Sequence, residues 1–207
     1  MCIIIYKKKG IKFPEEKKLK DLWDRNDDGA GVAIRYNNRV FFTKGMMEYK
    51  DFLEYFKTYL KPNEKDIECV IHFRLGSPVK PELTHPFPLD DDIELLKLNG
   101  ISRKGVLFHN GVISSLRKKA NEIGLSDTAT LVKFFRESEF TIENIIKFLD
   151  YFEDGDRFLL MTPAKVFTFG NWNEENGVLY SSYPYTYRYI FRDEEYDECL
   201  LWRWRLK

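Results

Sequence analysis

The second residue of the chain is a cysteine, and removal of Met1 would leave its thiol and a free α-amine on one residue, directly ahead of the apolar run Ile3-Ile4-Ile5-Tyr6. The thiolate is the attacking form of cysteine. An α-amine, with an ordinary pKa of about 8, can accept or relay the thiol proton near neutral pH without a histidine. Nucleophile and base would then sit together at the tip of the first strand. Other segments carry groups that such a nucleophile would use. In His72-Phe73-Arg74-Leu75-Gly76-Ser77 an arginine follows a strand, where its guanidinium can hold a carboxylate by two parallel hydrogen bonds or form an ordinary surface ion pair. His109-Asn110-Gly111 sets a side-chain amide beside a flexible backbone N–H, which is the donor pair of an oxyanion hole and also the composition of a plain turn. In Ser126-Asp127-Thr128 the carboxylate fits the first turn of a helix, where the macrodipole favours an acid. Asp24-Arg25-Asn26-Asp27-Asp28-Gly29 begins like a calcium-binding loop, but Arg35 stands where the bidentate glutamate belongs and a strand follows where a helix is needed. It reads as a turn feeding a strand.

The elements that must position these groups follow from periodicity and punctuation. Ile3–Tyr6 reads as a buried strand, and Gly31–Arg35 with Arg39–Phe42 as a hairpin around Tyr36-Asn37-Asn38. Apolar residues at helical spacing predict a helix from Met46 to Leu60, stopped by Pro62. Ile67–Phe73 is again a strand. Gly76–Gly100, with four prolines and three consecutive aspartates, reads as a long ordered loop able to act as a lid. Val106–Phe108 is a short strand. Ile113–Ile123 ended by Gly124, Ser126–Phe135 and Thr141–Phe152 read as helices, the last two with Ser126 and Thr141 as N-caps. Strands resume at Arg157–Met161, Val166–Phe169 and Val178–Ser181. Strands, then helices, then strands, without linker or repeat, predict one α+β domain spanning residues 1–207.

Aromatic residues at 16% and charged residues at 32% describe a globular chain with a large aromatic core. Its 33 basic and 33 acidic residues cancel, so no global field favours nucleic acid or an anionic membrane. Charge begins at Lys7, too early for a secretory leader, and no apolar stretch is long enough to span a bilayer. Cys2, Cys69 and Cys199 are odd in number and far apart, which argues against a disulfide framework and a structural zinc site. The expectation is a cytoplasmic protein in a reducing compartment.

Met1-Cys2, an Asp-Asp-Gly-Ala-Gly turn, a strand ending in Phe-Arg, Thr84-His85-Pro86-Phe87, a strand ending in His-Asn-Gly, and Ser-Asp-Thr opening a helix occur in an order that resembles the class II glutamine amidotransferases, a group of N-terminal-nucleophile hydrolases. The motifs run from Cys2 to about Phe135, and Phe169-Gly170-Asn171-Trp172 with Gly177–Ser181 looks like the closing strands of the same domain. The resemblance implies a four-layer α/β/β/α sandwich of two antiparallel sheets. It makes Cys2 the nucleophile and its α-amine the base, Asn110 and Gly111 the oxyanion hole, Arg74 the partner of the glutamine α-carboxylate and Asp127 the partner of its α-ammonium. Ser77 lines the substrate pocket. The chemistry requires no metal or other cofactor. The sequence departs from the family pattern at Ile3, where glycine commonly follows the cysteine, at Asp28, and after Asp127-Thr128, where an acid often stands. His72, His85 and His109 have no assigned chemical role and read as structural.

The implied function is hydrolysis of the glutamine side-chain amide, with ammonia supplied to a separate acceptor synthase. Two alternatives stay open: another Cys2 amidase acting on a peptide, acyl or protein amide, and a binding module that keeps the fold without the activity. The aromatic tail Tyr183, Tyr185, Tyr187, Tyr189, Trp202 and Trp204 would be an edge strand on its own core or the surface that meets a partner. The mature protein is expected to begin at Cys2, because with Met1 attached the base would be a non-basic amide nitrogen. Intact-mass measurement checks this, and a retained Met1 in fully active protein would contradict it.

Overall fold

The computed structural model describes residues 2–152 and 155–182. In chain order these form β1 (Ile3–Lys7), α1 (Glu16–Trp23), β2 (Ala30–Tyr36), β3 (Arg39–Met46), α2 (Tyr49–Tyr55), β4 (Glu68–Phe73), β5 (Phe87–Pro88), β6 (Asn99–Ser102) and β7 (Val106–Asn110). Three helices come next, α3 (Ser114–Ile123), α4 (Asp127–Glu137) and α5 (Ile142–Asp150), then β8 (Arg157–Met161), β9 (Val166–Phe169), β10 (Asn173–Glu175) and β11 (Val178–Tyr180). The strands make two antiparallel sheets, one of seven in the order β10-β11-β1-β4-β2-β3-β6 and one of four in the order β5-β7-β8-β9. None of the helices among the described residues is long and apolar enough to cross a membrane.

Side-chain alternation along the strands decides how the sheets stack. Ile3 and Ile5 of β1 face Leu19 and Trp23 of α1 and Phe52 of α2, whereas Ile4 and Tyr6 face Val106 and Phe108 of β7 and Leu159 and Met161 of β8. On the second sheet the opposite parity, Leu107, Phe158 and Leu160, packs against Val132 and Phe135 of α4 and Ile145 and Leu149 of α5. Three apolar seams therefore run through the molecule, with helices outermost and the two sheets between them. Ile3, Ile4, Ile5 and Tyr6 of β1 are all buried, which is why they read as an unbroken apolar run rather than an alternating one.

Local punctuation matches the element ends. Asn37 and Asn38 both take positive φ, 48° and 56°, as a two-residue hairpin turn demands. Ser126 Oγ accepts the Ala129 N–H at 3.1 Å, and Thr141 Oγ1 accepts that of Asn144 at 3.2 Å. Gly124 closes α3 in the left-handed region. The helix expected from Met46 begins instead at Tyr49, because Met46 is still paired with Ala30 in the β2–β3 ladder, and it runs on as one π-helical turn over Phe56–Leu60. Helix α1 escapes the sequence reading; its buried Leu19, Leu22 and Trp23 are helically spaced but outnumbered by charged neighbours.

The segment expected to be a long loop is largely irregular but firmly held. Thr84 through Asp90 is buried, and β5 and β6 lie within or at the end of the segment. Lys44 Nζ donates to the Glu82 carbonyl at 2.9 Å and stands 4.1 Å from the Phe87 ring centre. The Gly45 N–H donates to Thr84 Oγ1 at 2.8 Å, and Arg136 donates to the Pro88 and Ile93 carbonyls from α4. Gly31 permits the closest approach, since a Cβ there would lie 1.7 Å from the His85 carbonyl oxygen. Gly31→Ala should therefore destabilise the fold by about 3 kcal/mol or more, measured by chemical denaturation, as overpacking against backbone does. A loss within about 0.5 kcal/mol, as at an unconstrained surface position, would show that the Thr84–Asp90 segment is not pinned.

Candidate active site

Pairing registers bring the chemistry-bearing residues to one end of the stacked sheets. Ile3 pairs with Phe73 across β1 and β4, so Cys2 and Arg74 leave their strands side by side. Phe73 also pairs with Ala30 of β2, which sets the Asp28-Gly29 turn against the same corner. On the other flank of β1 the Ser181 N–H donates to the Ile4 carbonyl at 3.0 Å and the Ile4 N–H donates to Ser181 Oγ at 2.8 Å. The second sheet contributes the end of β7, His109-Asn110, and Gly111 just beyond it.

Cys2 is half-buried, and its sulfur is held by one residue: the Leu75 N–H donates to Sγ at 3.3 Å, and the Leu75 carbonyl lies 3.5 Å from it. Burial pushes the thiol above its ordinary pKa, while the Leu75 backbone and the Arg74 guanidinium pull in the opposite direction. Burial is the largest of these effects, so at neutral pH the sulfur keeps its proton and attack requires an adjacent base. Arg74 is only 5% exposed, and its guanidinium donates to the Gly76 carbonyl at 2.6 Å. The Asp-Asp-Gly turn fixes this loop: Arg74 N–H to Gly29 O, Asp28 N–H to Arg74 O, and Gly76 N–H to Asp28 Oδ2 at 2.8 Å. Asp28, noted in the sequence as a departure, thus shapes the corner that presents Arg74.

Five of the six residues singled out in the sequence, Cys2, Arg74, Ser77, Gly111 and Asp127, line one cleft of about 260 Å³. Asn110 does not line it. It is buried behind the cleft, with Nδ2 2.9 Å from both Ser181 Oγ and Ser182 Oγ, and Oδ1 has no protein partner among the described residues. Ser181 Oγ already accepts the Ile4 N–H, so its own proton is free to be donated. Turning the amide about its last torsion would let Oδ1 accept from the serines and would offer Nδ2–H where Oδ1 now stands.

Asp127 opens α4 and is held by backbone donors on both oxygens, the Ile113 N–H at 2.8 Å and the Thr128 N–H at 2.7 Å. His109 is 2% exposed and stacks on Phe158 at 4.2 Å between ring centres. Its Nε2 meets Asp156 Oδ1 at 2.9 Å and its Nδ1 meets Thr128 Oγ1 at 3.0 Å. Asp156 and Ser182 are contributors that sequence reading misses, and Asp28, Thr128 and Ser181, quoted there only as parts of motifs, gain roles that it did not assign. Their spacing carries no signal, because each enters through a contact between distant segments. The expected role of the tail from Tyr183 to Trp204 lies outside the described residues.

Below the cleft His72 and His85 lie with ring centres 4.3 Å apart, both fully or nearly buried. Burial lowers both: His72 falls to about 3, helped by the Arg74 charge, and His85 falls well below its ordinary 6.5, helped by His72. Both are therefore neutral at pH 7.

Matched against models of known protein families and against curated protein sequences, the chain gives no match to either.

Because the folded-state values of His72 and His85 lie below the ordinary 6.5, the unfolded chain binds more protons as pH falls below that value, for His72 down to about 3. The stability the neutral pair contributes is present above pH 6.5 and is lost as pH falls. The unfolding free energy, measured by chemical denaturation, should drop between pH 7 and pH 4.5 by up to about 1.4 kcal/mol per pH unit for each histidine. His72→Asn should flatten that dependence, and an unchanged slope in the variant would contradict the assignment.

Proposed function

We propose that the protein hydrolyses the side-chain amide of glutamine through the Cys2 thiol, in the manner of the class II glutamine amidotransferases, and supplies the released ammonia to an acceptor synthase. The reading includes the N-terminal-nucleophile type of fold, to which the helices-sheet-sheet-helices stacking is suited. One observation carries it: residues from four separate segments, each a weak signal by itself in the sequence, meet on a single small cleft with the cysteine thiol in it.

The chemistry follows from the positions. Removal of Met1 gives Cys2 an α-amine beside a thiol that burial keeps protonated, so the amine takes the proton as sulfur attacks the amide carbon. Negative charge develops on the amide oxygen, where the Gly111 N–H and the turned Asn110 amide would be donors. The C–N bond breaks, the ammonium of Cys2 returns the proton to the leaving nitrogen, and ammonia departs from a γ-glutamyl thioester. Water then attacks the thioester, the amine accepts its proton, and sulfur leaves to be reprotonated as glutamate is released. Arg74 would orient the substrate α-carboxylate and Asp127 its α-ammonium, with Ser77 on the rim. The cleft volume lies below the roughly 300–1,000 Å³ of pockets for drug-sized ligands, which favours a free amino acid. Leu75 and Val112, exposed on the rim at 43% and 58%, favour a second reading in which the amide belongs to a larger molecule.

Release of glutamate and ammonia from free glutamine by the mature chain tests the first reading, with glutaminyl peptides as the comparison. Cys2→Ala, or an N-terminal extension that cannot be trimmed, should abolish turnover. Asn110→Ala should lower kcat by roughly 10²- to 10³-fold with little change in KM. Arg74→Ala should mainly raise KM, because it holds a charge present in ground and transition states alike, whereas Asp127→Ala should raise KM and also lower kcat, because Asp127 Oδ2 accepts the Ile113 N–H close to Gly111. An untouched kcat in Asn110→Ala alongside a lost kcat in Arg74→Ala would overturn these roles.

A further inference from the structure

A closed ring of hydrogen bonds surrounds the loop that carries Asn110 and Gly111. Asp156 Oδ1 receives the Val112 N–H at 3.1 Å and faces His109 Nε2 at 2.9 Å. His109 Nδ1 faces Thr128 Oγ1 at 3.0 Å, and Thr128 Oγ1 lies 3.3 Å from Asp127 Oδ1. Asp127 Oδ2 returns to the loop through the Ile113 N–H at 2.8 Å. Two carboxylates thus grip consecutive peptides, Val112 and Ile113, and one buried imidazole with one hydroxyl joins them. The ring leaves no room for a side chain at Gly111, where a Cβ would lie 1.8 Å from Asp156 Oδ1 and 2.7 Å from His109 Nε2.

We infer that His109 and Asp156 are positioning residues that couple the carboxylate which would hold the substrate ammonium to the backbone which would hold the oxyanion. The inference rests on the roles proposed for Asp127 and Gly111. Nε2 must carry a proton to bond a carboxylate, so it donates to Asp156 and aims the acceptor at Val112. The single Thr128 proton can go to His109 Nδ1 or to Asp127, so the charge that meets Asp127 bears on the whole ring. A substrate ammonium at Asp127 competes for the oxygen that Thr128 faces, which favours donation from Thr128 to Nδ1 and keeps Nε2–H aimed at Asp156. Binding at one end of the cleft then sets the geometry at the other, while the groups that touch substrate stay unchanged.

The test separates hydrogen bonding from packing at His109, which is also stacked on Phe158. His109→Phe keeps the stacking and loses both hydrogen bonds, whereas His109→Gln loses the stacking and keeps a donor toward Asp156. Steady-state glutamine hydrolysis by the mature full chain should show kcat reduced about ten- to hundredfold in Asp156→Ala and in His109→Phe, the size found when groups orienting a site are removed. KM should stay within about threefold, and His109→Gln should recover most of kcat. The double variant Asp156→Ala/His109→Phe should lose no more than either single variant, since both break one ring. Thr128→Ser should retain activity that Thr128→Val loses. Recovery by phenylalanine but not by glutamine, or a rise in KM at constant kcat, would overturn the inference. Amide hydrogen exchange at Val112 supplies a readout independent of turnover. Asp156→Ala and His109→Phe should accelerate it about tenfold or more, and His109→Gln should leave it near the parent rate. Failure of the parent protein to hydrolyse glutamine would sink the proposed function, while unchanged Val112 exchange in Asp156→Ala would sink the ring.

Discussion

The burial of β1 on both faces and its pairing on both edges is the constraint on which the site depends. Ile3 and Ile5 are locked into the seam with α1 and α2, Ile4 and Tyr6 into the seam between the sheets, and β4 and β11 flank the strand. A slip of one residue would exchange the two apolar sets and empty both seams, so the register is strongly specified. Cys2 is the next residue out from that fixed strand. It is held at the cleft by the rigidity of the strand it leads into. The same ladders deliver Arg74 from β4 and the serines after β11, so one sheet supplies the proposed nucleophile and much of its surroundings.

The electrostatics of the cleft follow from how little water reaches it. Burial keeps the Cys2 thiol protonated and the adjacent His72 and His85 neutral. A neutral thiol with a donor at 3.3 Å and a guanidinium nearby is poised for attack only if a base stands beside it, and the α-amine created by removing Met1 is the group that geometry guarantees to be adjacent. His109, the histidine on the cleft wall, has both nitrogens committed to Asp156 and Thr128 and is thereby drawn away from general-base chemistry. The proposed division of labour is an N-terminal residue for proton transfer and a histidine for geometry.

Much of this was legible in the sequence where a signal is local. The apolar run at Ile3–Tyr6, the Asn37-Asn38 turn, the caps Ser126 and Thr141 and the αL glycine Gly124 each announce an element, and each stands where expected. The approximate place of Arg74, Gly111 and Asp127 at element ends was legible for the same reason. Helix α1 was not, because three apolar residues among lysines and acids give a weak pattern that only the surface of the first sheet completes. Met46 was drawn into the wrong element because its helical spacing from Tyr49 and Leu53 is real, while its pairing with Ala30 is not visible along the chain. Asp156 and the Ser181-Ser182 pair were beyond reach, as their partners His109, Asn110 and Ile4 are dozens to well over a hundred residues away and are joined to them only by sheet topology.

The central claim is a covalent one, and trapping the intermediate tests it most directly. The mature protein would be mixed with glutamine, quenched in acid within the first turnover, and its N-terminal peptide analysed by mass spectrometry. The account predicts a peptide that begins at Cys2 and carries one γ-glutamyl group in a hydroxylamine-labile thioester, absent when Cys2 is replaced by serine or alanine. Glutamate formation without any adduct on Cys2, or an equal adduct on a chain still carrying Met1, would contradict it.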